Sequence, residues 1–171
     1  MMPLRLAGPY TFFGLAMAAA ACAIDQAAKL WLLFGYELED RGRVAIVPFV
    51  DLVLTWNTGI SYGWFQQDSA LGQWLLLAMK AAAVVLLLIW LAGAANRLMA
   101  AGLGLIIGGA LGNALDRLVH GAVVDFVLLH MTTQKWSFNW YVFNLADVAI
   151  VAGVAAILYD SFLGGHAAKA P

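Results

Sequence analysis

The chain has 171 residues, 64% hydrophobic and 11% charged, with 9 Lys and Arg against 10 Asp and Glu for a formal net charge of −1. Soluble domains carry about 25% charged residues, so this composition excludes an ordinary soluble enzyme and describes a small integral membrane protein. The near-zero charge argues against a nucleic-acid partner, and a single cysteine, Cys22, excludes an intramolecular disulfide or the thiol pair of a membrane redox enzyme.

Four apolar stretches reach the roughly 20 residues needed to cross a bilayer. So few segments can span only as helices. The expected fold is therefore an all-α polytopic membrane protein, with transmembrane helices over about residues 9–34, 70–94, 98–118 and 140–163. The first stretch carries Asp25 and Lys29 late in its length. Arg5, an apolar run and Ala19-Ala20-Ala21-Cys22 resemble a signal peptide with a weak lipobox. Hydrophobicity continues past Cys22 and three more spans follow, which favours a retained helix.

Residues 35–69 form a loop on the opposite side from the termini. Within it Val50, Leu52, Leu54 and Trp56 alternate with Asp51, Val53, Thr55 and Asn57. A period of two predicts a strand with one apolar face, and residues 43–49 supply a partner. A small β-sheet and loop subdomain on the outer surface is expected. The second span is interrupted only by Lys80, read as snorkelling or pairing. The third has Gly104, Gly108 and Gly112 at every fourth position, where small residues admit a neighbouring helix. Residues 119–139 are read as an outer loop carrying Asp125. The fourth span, from NWYVFNLADVAIV onward, is interrupted only by Asp147. Lys and Arg counts tie between the two sides. The short turn at Arg97 favours termini in the cytoplasm.

With antiparallel neighbours, the polar residues fall at one membrane face. Asp25 and Lys29 end the first helix, Asn113, Asp116 and Arg117 end the third, and Asn144 and Asp147 begin the fourth. Asn57 and Asp125 lie in loops on that face. Asp25 and Lys29 are spaced i,i+4 and can pair. Asp125 and Asp147 have no basic neighbour in sequence. Two facing carboxylates in a partly dry site share a proton, leaving one acid and one base. That is what activation of a water against a peptide carbonyl requires. The alternative for each is a structural hydrogen-bonding role, and the residues alone leave both open.

Other chemistries fit less well. Gly59-Ile60-Ser61-Tyr62-Gly63 matches G-x-S-x-G, but that elbow needs a large parallel sheet that this chain is too short and apolar to build. His120 and His130 lack zinc-site spacing, and no phosphate-binding loop motif occurs. Polar residues gathered at one end disfavour a transporter, whose groups lie near midplane. Two unpaired carboxylates disfavour a scaffold protein.

Five motifs occur in order: Asp25-Gln26-x-x-Lys29, Asn57-Thr58-Gly59, Gly108-Gly109-Ala110-Leu111-Gly112-Asn113-x-x-Asp116-Arg117, Gly121-x-Val123-Val124-Asp125-Phe126 and Phe143-Asn144-Leu145-Ala146-Asp147. Together they resemble the lipoprotein signal peptidase (signal peptidase II) family across nearly the whole chain. The resemblance implies an aspartic endopeptidase of the bacterial inner membrane that cuts diacylglyceryl-modified prolipoproteins before the lipidated cysteine. It implies catalytic Asp125 and Asp147, with Asp25, Lys29, Asn57, Gly109, Asn113, Arg117, Asn144 and Ala146 as supporting motif residues. Asp116 is read beside them, with Arg117 holding it or part of the outer domain. Cytoplasmic termini, a periplasmic sheet and an active site at the periplasmic side are implied as well. No metal or organic cofactor is expected, the partners are the lipidated substrate and membrane lipid, and a monomer suffices. Tyr141 stands where relatives often have proline, and Tyr62 where phenylalanine is common.

Overall fold

The computed structural model describes residues 7–59, 70–133 and 135–164. Helix α1 runs Thr11–Leu30 and continues through a π-helical turn, Trp31–Gly35. The single turn α2, Leu38–Arg41, leads into strands β1, Val44–Val47, and β2, Val50–Asn57. Helices α3, Ala70–Ala92, and α4, Arg97–His120, follow. Strands β3, Val123–Thr132, and β4, Ser137–Phe143, come next. Helix α5, Leu145–Tyr159, ends in a second π-helical turn, Asp160–Gly164.

Local chemistry sets the helix ends. The Asn96 side chain accepts the Met99 N–H at 2.9 Å and starts α4. Gly121, with φ of 73°, supplies the left-handed cap that stops it. Helix α5 opens on a reciprocal capping box. Asn144 Oδ1 accepts the Asp147 N–H at 3.0 Å, and Asp147 Oδ2 accepts the Asn144 N–H at 3.3 Å.

Helix α4 lies between α1 and α5 and packs on both. Small residues make this possible. A methyl group on Gly108 would run into the Ala18 carbonyl of α1, and one on Gly109 into the Ala146 carbonyl of α5. Leu91, Ala100, Leu103 and Ile107 fill the space between helices. The outward faces are apolar too: Phe12, Trp74, Leu86 and Val151 are exposed. An apolar surface this extensive belongs in lipid. Among the described residues Thr11–Gly35, Arg97–His120 and Leu145–Phe162 are long and apolar enough to cross a membrane, and Leu77–Ala92 is a shorter apolar helical stretch.

The strands form one antiparallel sheet in the order β1-β2-β3-β4. Leu52, Leu54, Val124 and Phe126 of its inner face meet Leu32 and Leu38, so the sheet is seated on the end of α1.

Four expectations change. The chain is not all-α, because the sheet takes in residues expected to be loop or helix. Residues 119–139, read as loop, are largely strand, and Asp125 lies inside β3 opposite Thr55. The fourth helix begins at Leu145 rather than near 140. The apolar run from Trp136 hid this boundary: Ser137–Phe143 is rich in aromatic residues, which suit a pleated strand, and the Asn144 cap marks where the helix starts. Finally, the register shifts between Leu52 and Thr55. Leu54 faces the core while Trp56, expected on the same face, is exposed.

Gly109→Val tests the close approach of α4 and α5. Overpacking of this kind costs about 1–3 kcal/mol, so the variant should show a lower unfolding midpoint in detergent than the parent.

Candidate active site

The site starts from Lys29, 2% exposed. Its ammonium lies 2.7 Å from Asp25 Oδ2 on its own helix and 2.7 Å from Asp116 Oδ2 on α4. It also donates to Asn113 Oδ1 at 3.0 Å. All three donor directions of the cation are thus used. Each flanking acid then reaches a backbone N–H. Asp25 Oδ1 accepts from Ala146 at 2.9 Å, and Asp116 Oδ2 accepts from Val124 at 3.0 Å. Ala146 precedes Asp147 and Val124 precedes Asp125. One buried ion cluster therefore clasps the chain just before each candidate carboxylate.

Two amides complete the frame. Asn113 Oδ1 faces the Lys29 ammonium, so its Nδ2 turns the other way and donates to Asp147 Oδ1 at 3.1 Å. Asn144 Nδ2 donates to Asn113 Oδ1 at 3.0 Å and to Asp125 Oδ1 at 2.6 Å. Asn57, from β2, donates to Asp125 Oδ2 at 3.0 Å. Asn144 thus touches Asp125 with its side chain while its capping box holds Asp147. Arg117 reaches the Thr58 and Gly59 carbonyls. Asp116 is instead bound by Lys29 and by Gln26, whose Nε2 donates at 2.8 Å. Of the two roles expected for Arg117, the outer segment is the one it takes.

Asp125 and Asp147 line one polar cavity of about 140 Å³ with Asn57, Lys80, Asn113, Arg117, Val123 and Tyr141. Asp125 is 2% exposed. Burial is the main cause that pushes its carboxyl up to about 6, and the negative charge of Asp147 acts in the same direction. The bonds from Asn57 and Asn144, and the Lys29 charge, oppose the shift. On the other side of Asp147 lies an apolar groove of about 450 Å³, walled by Leu129, Trp140, Tyr141 and Phe143 of the sheet and Val148, Val151, Ala152 and Ala155 of α5.

All eleven residues singled out in the sequence are accounted for. Asp25, Lys29, Asn57, Asn113, Asp116, Arg117, Asp125, Asn144 and Asp147 join this network, Ala146 enters through its backbone N–H, and Gly109 acts as helix packing. Gln26, Lys80 and Tyr141 also reach the site; in the sequence Gln26 is part of a motif, Lys80 a snorkelling or pairing cation and Tyr141 a departure from the family pattern, none of them placed among the site residues. Lys80 had a signal, being the one charge in its span. The Gly59–Gly63 pattern lies, beyond Gly59, outside the described residues. His130 pairs with Asp51 at 3.2 Å, and the His120 ring lies tilted against Trp56, with 5.4 Å between ring centroids; neither lines the cavity.

Fold and cavity together describe a class: a membrane protein that presents two carboxylates to one small polar space, the arrangement of an aspartic peptidase. Comparison with known proteins narrows this. The family described as Signal peptidase (SPase) II, peptidase family A8, matches residues 17–163. A lipoprotein signal peptidase of Nitrobacter hamburgensis is 64% identical over 158 residues, covering 92% of this chain and 96% of the relative. One from Rhodopseudomonas palustris is 57% identical over 171 residues, covering all of both chains. A solved structure of a bacterial membrane enzyme shares the fold with a TM-score of 0.69 at 22% identity, over 93% of this chain and 92% of the other. The chain belongs to the signal peptidase II family and is an aspartic peptidase.

Two outcomes follow from the network. Lys29→Met strands two buried carboxylates and should cost about 3–5 kcal/mol, read as a lost or sharply lowered unfolding transition. Asp125 gives a pH dependence. Its folded value near 6 exceeds the ordinary 3.8, so its stabilising protonated form is complete below about pH 4 and is lost as pH rises through 6. The full loss is about 3 kcal/mol. The unfolding midpoint of Asp125→Asn, relative to the parent, should therefore rise between pH 4 and 7 and level off above.

Proposed function

We propose that this chain is the lipoprotein signal peptidase that its relatives are named for, and that Asp125 and Asp147 are its catalytic pair. The observation that carries this is their shared cavity, bridged by Asn144 and closed off from bulk water on the Asp125 side. Asp125, from the dry side, holds the proton. Asp147 accepts a proton from a water as its oxygen attacks the scissile carbonyl. Asp125 donates to the developing oxyanion. On collapse the C–N bond breaks, and the proton held by Asp147 passes to the leaving amine. Asn113 and Asn144 hold the two carboxylates in register. No step calls on a metal or an organic cofactor.

The substrate is a prolipoprotein bearing a diacylglyceryl cysteine, cut before that residue. The apolar groove beside Asp147 supports this, because it joins the cavity edge to the lipid-facing side of α5 and gives acyl chains a place next to the scissile bond. The setting is the bacterial inner membrane. Helices α1, α3, α4 and α5 span it, the termini are cytoplasmic, and the sheet and cavity lie at the periplasmic boundary. The single bundle works as a monomer.

The test is cleavage of a lipidated prolipoprotein peptide by purified protein in detergent. Asp125→Asn and Asp147→Asn should each lower kcat by about 10³-fold or more while eluting as folded protein. Full activity in either folded variant would contradict the assignment.

A further inference from the structure

Lys80 is the only charged residue of α3. It lines the same cavity as Asp125 and Asp147, within electrostatic reach of both. No hydrogen bond or ion pair holds its ammonium among the described residues, whereas Lys29 and Arg117 are each engaged. A cation inside a membrane helix is costly and is kept where it faces a partner.

The lining of the cavity identifies that partner. Asp25 and Asp116 share Lys29, and Arg117, which lines the cavity within electrostatic reach of Asp125, Asp116 and Lys80, is bonded to the Thr58 and Gly59 carbonyls. Tyr141, the other titratable side chain on the cavity wall, is a phenol and uncharged in its ordinary state. What remains is the Asp125–Asp147 pair. With one shared proton it carries a single negative charge, and Lys80 is the cation of the cavity wall whose ammonium has no other bond among the described residues.

We propose that Lys80 is the counter-ion of the Asp125–Asp147 pair, a positioning residue that keeps the pair at one shared proton and so sets the pH range in which the enzyme works. The proposal rests on the assignment of that pair as catalytic. Without the cation, a second proton binds more readily, both carboxyls become neutral, and no base remains to take a proton from water. Lys80 acts through the pair and need not touch the substrate.

The experiment is the pH dependence of kcat/KM on a lipidated prolipoprotein peptide in detergent, for the parent, Lys80→Met, Lys80→Gln and Lys80→Arg. An opposite charge within about 4–6 Å moves a carboxylate by about one unit or more. The acid limb should therefore move up by about one pH unit in the Met and Gln variants. Activity on that limb falls about tenfold and returns as the pH is raised. Lys80→Arg, which restores the charge, should keep the parent's limb. An acid limb at the parent's position in both neutral variants overturns the proposal. So does a folded neutral variant that is dead at every pH, and so does failure of both to fold, which would make Lys80 a structural cation. An active Asp125→Asn variant would sink the catalytic pair itself; an inactive one beside an unshifted Lys80→Met profile sinks only the counter-ion.

Discussion

The structure turns on one buried ammonium. Lys29 has almost no contact with solvent and is satisfied by Asp25, Asp116 and Asn113 together. A buried charge is tolerated only when every direction around it is answered. Answering this one draws the end of α1 against the end of α4. The two acids then use their remaining lone pairs on Ala146 and Val124, one residue ahead of Asp147 and Asp125. The spacing of Asp125 and Asp147 is thus set by backbone positions clamped from behind, and not by the flexible side chains alone.

The consequences reach both the membrane and the chemistry. Polar groups from four helices and two strands are gathered around one site in the bundle. The remaining length of each helix is left free to be apolar. Gly108 and Gly109 serve the same end, since α1 and α5 must come close to α4 for Asp25 to reach Ala146. Asp125, brought in by the sheet, sits on the dry side of the cavity; Asp147, at the first turn of α5, borders the apolar groove. Two chemically identical groups are given different surroundings, and burial raises the carboxyl of Asp125.

Much of this was legible in the sequence because it depends on spacing along helices. The i,i+4 pair of Asp25 and Lys29, the Asn144–Asp147 turn and the convergence of helix ends all follow from the period of 3.6 residues. What could not be read were contacts made across long sequence separations. Arg117 and Asp116 are adjacent in sequence, yet they point to different partners, because consecutive helical residues face different ways. The strand character of β3 was masked by its place between two apolar helices. The strand β4 was masked by its own hydrophobicity: an aromatic run before a helix reads as more helix until the Asn144 cap is seen making its bonds. Lys80 looked like a snorkelling lysine because nothing in α3 itself pairs with it. Its counterpart charges lie on β3 and α5.

In the proposed mechanism Asp125 and Asp147 share one proton across the cavity. Infrared titration of the protonated carboxyl band that Asp125→Asn removes tests this most directly, comparing the parent with Asp147→Asn. The band should titrate near pH 6 in the parent and at a lower pH once the negative neighbour is gone. A band that titrates at the same pH in both proteins would contradict it.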